Sequence, residues 1–257
     1  MSSSPSSSNS DKTFTIDPSD NLSRATTYKI RVTIGVKDSA GNTLSSQYET
    51  SSGFTVWWFT QQLGTSKHDQ GFGITVDSSD NIYVTGTTLG GLDGNTNSGD
   101  FDLVLVKYTS NGVKQWTQQL GTSGFDYGYG VTLDNSSNIY VSGYTMGGLD
   151  GNTNSGSVDL NLVKYNSSGV KQWTRQLGTS SEDRGWGVSV DSSDNIYLTG
   201  YTYGGLDNNT NSGDRDLFLV KYNSSGTKQW TQQLGTSSGD TGTCLLYTSP
   251  SPRDKRQ

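Results

Sequence analysis

The residues best placed to do chemistry sit in a short loop that occurs three times. Asp93, Asn95 and Asn97 alternate through Gly-Gly-Leu-Asp-Gly-Asn-Thr-Asn-Ser-Gly at 90–99, with Asp100 and Asp102 close behind. Asp150, Asn152, Asn154 and Asp159 repeat the set, and so do Asp207, Asn209, Asn211, Asp214 and Asp216. Alternating side-chain oxygens around a tight loop suit a hard cation, and calcium is the cation such a set would take. The pattern departs from an EF-hand loop in two places. Ser98 stands where glycine makes the sharp turn, and Val104 where a bidentate glutamate belongs. Ser157 also replaces one acid in the middle copy. Asn, Asp and Gly are equally what a metal-free turn uses, through side-chain bonds to its own backbone. A calcium site and a purely structural loop both fit these residues.

Catalytic chemistry has less to work with. His68 is the only histidine, and its column one repeat on holds Phe125, then Glu182, then Gly239. Nothing pairs with it to activate a nucleophile. Carboxylates recur in fixed columns, as Asp77 and Asp80 do, whereas an acid and a base need different environments. Repeated acids of this kind hold turns. Trp116, Trp173 and Trp230 could stack sugars, but one tryptophan per strand also suits packing between repeats. Asn166-Ser167-Ser168 reads both as a glycosylation sequon and as a turn. No cofactor other than calcium is expected.

These positions are set by a period of 57 residues. Gln-Leu-Gly-Thr recurs with its glycine at Gly64, Gly121, Gly178 and Gly235, and 121–177 shares 40 of 57 positions with 178–234. Within one unit, 129–133, 139–144, 159–165 and 170–177 alternate as strands, separated by Asn-, Ser- and Gly-rich turns. Gly86, Gly143 and Gly200 stand at one fixed place near the end of the second strand. Four short strands per unit make a β-propeller blade, and neighbouring blades bury each other's faces. The expected fold is all-β, with blades at about 71–120, 128–177 and 185–234 in a repeat region 55–243. Residues 55–63 supply one further last strand, with Phe59 in the tryptophan column. Three complete blades form an open arc of a truncated propeller, since closed rings typically need four to eight.

Asp77-Ser78-Ser79-Asp80-Asn81-Ile82-Tyr83-Val84-Thr85-Gly86, followed by Leu105-Val106-Lys107-Tyr108 and the Gln-Trp strand, resembles the bacterial SBBP-type β-propeller repeat. The resemblance covers about residues 56–243 and implies a propeller in a large exported or surface protein, without a defined activity. Residues 1–54 hold alternating runs at 13–17 and 26–34 and the turn cluster Asp38-Ser39-Ala40-Gly41-Asn42. Leu22 to Tyr28 and Val36 to Asn42 resemble the C-terminal half of a surface-layer-type bacterial immunoglobulin-like domain, so a partial β-sandwich is expected here. Met1 then reads as an internal methionine, with any secretion signal upstream. Residues 244–257 match nothing one period earlier, and Cys244 to Asp254 resembles a translated sequencing adapter, so this tail is expected to be non-native. The lone Cys244 then carries no redox meaning.

The net charge of −6, with no basic stripe, argues against nucleic acid as a partner. No apolar run reaches the roughly 20 residues that span a bilayer. The expectation is a non-catalytic binding or adhesion scaffold with a protein or glycan ligand, located outside the cell or on its surface. Its binding side would carry the 90–99 loops together with Asp69, Asp126, Asp183 and Asp240. The alternative is a fragment of a propeller enzyme acting on glycans, its site in blades not present here.

Overall fold

The computed structural model describes residues 61–243 without a break and, before them, short stretches between residues 6 and 55. Phe59, the whole 16–26 segment and the 244–257 tail lie outside the described residues. The chain divides into two compact units, Met1–Gln61 and Gln62–Gln257.

The first unit contains short antiparallel pairs. β1 (Ser6–Ser8) pairs with β2 (Thr13–Thr15), β3 (Thr27–Tyr28) with β6 (Phe54–Thr55), and β4 (Arg31–Val32) with β5 (Tyr48–Glu49). Arg31 clamps Glu49 across the last pair, its Nη2 2.7 Å from the carboxylate.

The second unit is three four-stranded antiparallel meanders. The first is β7 (Asp69–Val76), β8 (Ile82–Thr88), β9 (Asp102–Tyr108) and β10 (Lys114–Leu120). The second is β11 (Asp126–Leu133), β12 (Ile139–Thr145), β13 (Asp159–Tyr165) and β14 (Lys171–Leu177). The third is β15 (Asp183–Val190), β16 (Ile196–Thr202), β17 (Asp216–Tyr222) and β18 (Lys228–Leu234). Among the described residues no sheet closes on itself, and each of the three is one propeller blade. First strands begin at Asp69, Asp126 and Asp183, two residues before the expected blade starts at about 71, 128 and 185.

Local chemistry explains the turns. Asp134 Oδ1 accepts from the backbone N–H of Ser136 at 2.9 Å and of Asn138 at 2.8 Å, folding the chain between β11 and β12. Tyr140 OH then donates to Asp134 Oδ2 at 2.9 Å, tying the turn to the strand it launches. Between β13 and β14, Asn166 Oδ1 accepts from Ser168 and Val170, and Gly169 takes φ +81°, where a side chain would be strained.

Blades pack face to face. β11 lies across β7, β8 and β9, and β15 across β11, β12 and β13. Between blades one and two, Leu103, Leu105 and Tyr83 meet Val131, Ile139, Val141 and Tyr165. Between blades two and three, Leu160, Leu162 and Tyr140 meet Val188, Leu198, Phe218 and Tyr222. Each such side chain contributes about 1.5–3 kcal/mol when fully buried, so a junction outweighs any single polar contact in the blade.

Candidate functional site

The three Asp-Asn-Asn loops each begin with a single 3-10 turn, Leu92–Gly94, Leu149–Gly151 and Leu206–Asn208. Asp93, Asp150 and Asp207 occupy the left-handed region at φ 57°, 55° and 58°, a conformation that Asp tolerates through local hydrogen bonding. Their carboxylates pair with Lys114, Lys171 and Lys228 on the last strand of the same blade. Asn95, Asn152 and Asn209 each turn the amide inward, Nδ2 donating to the carbonyl of Leu92, Leu149 or Leu206 at 2.8 Å. Asn97 Oδ1 accepts from Gly99 N–H at 3.2 Å and its amide donates to Asp100 O. Asn154 and Asn211 make the same acceptor contact, at 3.4 and 2.9 Å. Within each loop the three side chains therefore serve separate partners. Among the described residues, no group of three or more His, Cys, Asp or Glu side chains is arranged to hold a metal.

The acids at the strand starts are internal rather than superficial. Asp126 and Asp183 are fully buried, as are Asp102, Asp159 and Asp216. Asp126 Oδ2 accepts from Thr122 N–H at 2.6 Å and Thr122 Oγ1 at 2.9 Å, while Thr145 donates to Oδ1. Asp102 Oδ2 accepts from Ser98 N–H and Gln119 Nε2, at 2.9 and 2.8 Å, and its Oδ1 has no hydrogen-bond partner. Burial pushes Asp126, Asp183 and Asp102 above the usual carboxylate range, partly offset by these donors. The Asp102 charge adds to the rise at Asp126, and Asp159 to that at Asp183. These acids pin loops to strands, so the acidic binding side expected from the sequence loses its strand-start acids Asp126 and Asp183.

A different surface gathers chemistry. β7, β11 and β15 place Phe72, Tyr129 and Trp186 in one ladder, ring centroids 4.6 and 4.5 Å apart. With Gly73, Gly130 and Gly187 they line a groove of about 580 Å³. Beside the groove stands an aromatic cluster: Tyr127 lies 6.2 Å from Phe72 and stacks on Tyr144 at 4.7 Å, and Phe101 lies 5.8 Å from Phe125 and 5.6 Å from His68. The same position one blade on is charged. Arg184 lies 4.4 Å over the Tyr144 ring and 2.8 Å from Glu182, and Tyr201 OH donates to Glu182 at 2.7 Å. Arg215 covers Tyr201 at 5.0 Å. Burial opposes the Arg184 charge, but Tyr144, Tyr201 and Glu182 outweigh it and hold the guanidinium ionised. Burial pushes the Tyr144 and Tyr201 hydroxyls up, keeping both as donors. The Trp186 indole N–H is buried without a partner. Such a mixed aromatic and arginine surface can stack planar or pyranose-like groups and pair with anionic ones.

A family model described as a beta-propeller repeat matches residues 58–93, 115–150 and 172–207. A bacterial Ig-like domain model matches residues 1–61. The chain carries three β-propeller repeats behind a bacterial Ig-like domain. The second and third matched repeats each run from the last strand of one sheet through the first two strands of the next, so the repeat unit straddles a blade junction. The chain is 24% identical over 225 residues to an uncharacterized WD repeat-containing protein, L264, of Acanthamoeba polyphaga mimivirus. That alignment covers 68% of this chain and 16% of the viral protein. It is 25% identical over 197 residues to the regulatory protein FlaEY of Caulobacter vibrioides, covering 65% of this chain and 20% of that one. The chain thus spans a fifth or less of either relative, and neither name denotes an enzyme.

The propeller repeats also place the residues singled out for structure. A Cβ on Gly169 would come 3.0 Å from the Trp116 ring, so Trp116 lies beneath a turn of the next blade. Trp173 lies likewise beneath Gly226 and carries Arg175 at 4.9 Å. Gly86, Gly143 and Gly200 face the bulge in the first strand, where a Cβ would fall 1.8, 1.7 and 1.9 Å from the carbonyls of Gln70, Tyr127 and Arg184. The inner aromatic and arginine surface escaped the sequence reading. Its signal was there in the columns where near-identical repeats change character: Phe125 against Glu182, Tyr127 against Arg184, Val158 against Arg215.

Among the described residues, no helix is long and apolar enough to cross a membrane.

Proposed function

We propose that this chain is a non-catalytic binding scaffold, part of a large secreted or cell-surface bacterial protein, whose inner blade surface takes a glycan or protein ligand. One observation carries the reading. The blades agree where they pack and differ beside the groove, where Glu182, Arg184 and Arg215 stand in place of Phe125, Tyr127 and Val158, and Tyr127 lies 6.2 Å from the groove residue Phe72. A purely structural repeat gains nothing from that difference, whereas a ligand without the repeat's symmetry requires it. Aromatic faces with a few placed polar groups are the usual lining of a ligand site. The bacterial Ig-like domain in front supports the extracellular placement.

The test replaces Glu182→Phe, Arg184→Tyr, Tyr203→Met and Arg215→Val together, giving blade three the residues of blade two. Wild type and variant are compared on a glycan array and a panel of extracellular matrix proteins. Ligands bound by the wild type and lost by the folded variant support the assignment. Ligands retained unchanged by the variant would sink it.

A further inference from the structure

We infer that the ligand of the inner surface is an acidic glycan, whose ring-borne carboxylates meet Arg184, Arg215 and the Trp186 indole. This rests on the groove reading above and names the chemical class of its ligand.

The unmet hydrogen-bonding groups at this surface are all of one kind. Arg184 Nε, Trp186 Nε1 and Arg215 Nε are each buried without a hydrogen-bond partner among the described residues. All three are N–H donors, and neither arginine nor tryptophan can accept. Buried polar groups are almost always paired, and a buried donor left unmet is costly. Whatever completes these three must bring acceptors. Elsewhere in the blades the unmet atoms include acceptors, such as Asp102 Oδ1 and Asn161 Oδ1, so the bias toward donors belongs to this surface.

The three donors gather around one ring. Arg184 pairs with Tyr201 across β15 and β16, Arg215 covers the Tyr201 ring at 5.0 Å, and the Trp186 ring lies 6.4 Å from it. Glu182 does not complete the set. It lies 2.8 Å from Arg184 Nε without the geometry of a hydrogen bond, and takes its bond from Tyr201 OH instead. It holds the guanidinium beside the Tyr144 ring and leaves the terminal nitrogens of the fork for a second anion. Both arginines depart from the repeat, standing where blade two has Tyr127 and Val158.

Ring faces beside these donors favour a sugar over a peptide. Trp186 and Tyr129 stand 4.5 Å apart in the groove, with Tyr144 and Tyr201 beside it. A pyranose with its carboxylate on a ring carbon brings an apolar face and an anion in one rigid unit. The face stacks on an aromatic ring while the anion takes a guanidinium fork. An acidic peptide carries its carboxylate on a flexible stem, with no face to stack and more freedom to lose.

The test titrates polygalacturonate, alginate and hyaluronate into the full chain, each beside its methyl ester, which keeps the rings and loses the charge. The chain is expected to bind at least one acid form, and esterification to weaken that binding about tenfold or more, the effect of one charge-assisted contact. Arg184→Gln and Arg215→Gln each weaken it by a similar factor. Arg184→Lys, which keeps the charge but not the fork, falls between. Where a variant melts early, the wild type decides through salt: binding of the acid form weakens as salt rises, and binding of the ester does not. Equal binding of acid and ester overturns the acidic class, and the groove reading still stands if Trp186→Ala removes both. Acid binding that survives the loss of both arginines overturns it too. So does polyglutamate competing as well as the glycan, which would assign the surface to acidic peptides. Binding of none of the three polymers overturns the inference, while a neutral glycan or matrix protein bound at the groove would keep the broader reading.

Discussion

Blades two and three are nearly the same object in their outer strands and different ones at their inner edge. Both bury the same columns against the preceding blade, Val131 and Val188, Ile139 and Ile196, Tyr165 and Tyr222, with the same Asx turn and the same bulge-facing glycine. At the inner edge, blade two presents Phe125, Tyr127 and Tyr129, while blade three presents Glu182, Arg184 and Trp186. The lesson concerns division of labour. Residues that must fit a neighbouring blade are held to one solution, because a packed interior penalises a change of even one methylene. Residues in and beside the groove are under no such constraint and are free to be set by a ligand.

The comparison breaks most visibly in the outer set. Gly143→Val puts a side chain against the Tyr127 carbonyl, which a bulge holds in place. A loss of about 3 kcal/mol, typical of severe overpacking, is expected in urea unfolding. A loss below about 1 kcal/mol would show that the bulge yields and that the glycine column is not required.

Asn161 tests the same idea in the opposite direction. It is fully buried between blades one and two, both its amide atoms lack partners, and Val104 and Phe218 fill its column in the other blades. Asn161→Val removes an unsatisfied amide, and a gain of about 1–2 kcal/mol is expected. A destabilised variant would mean that the amide serves this junction alone.

The buried acids set a pH dependence. Burial raises the folded-state pKa of Asp126 above its unfolded value. Its contribution is therefore fully present below the unfolded pKa and is lost as pH rises through the folded one. Asp191 runs the other way, its carboxyl held down to about 2 by the Asn195 side chain and by backbone donors. Its contribution is present above the unfolded pKa and fades as pH falls toward about 2. The stability gap between wild type and Asp126→Asn should be widest in acid and narrow toward neutrality, while the gap for Asp191→Asn should widen. Melting curves across pH would read both, and parallel gaps would refute the assignment.

The smallest effect is expected at the repeated loops. Lys171 pairs with Asp150 at a partly exposed site, so Lys171→Met should cost under about 1 kcal/mol. The lysine also stands where a cation would compete for that carboxylate. Added calcium should raise the melting temperature of the variant more than that of the wild type. An equal response in both would show that the ammonium does not exclude the metal.

Much of the architecture is legible in the sequence because its determinants are local and repeat. Alternation marks the strands, and Asp134 or Asn166 marks a turn through bonds two to four residues away. The inner surface is not legible this way, since Tyr129 meets Trp186 only across a full period and only once blades stack. The same holds for Asp126. Its column reads as an exposed loop acid, yet Asp126 N–H bonds Phe101 O of the preceding blade at 2.6 Å and the side chain is sealed inside. For that reason β11 starts at Asp126, three residues before the alternating run 129–133.

The most direct test is the unfolding midpoint of the chain carrying Glu182→Phe, Arg184→Tyr, Tyr203→Met and Arg215→Val. If packing columns alone specify the blade, this variant folds cooperatively and stays within about 1 kcal/mol of wild type. Unfolding of blade three, or a loss of several kcal/mol, would contradict the account by making the inner residues part of what builds the blade.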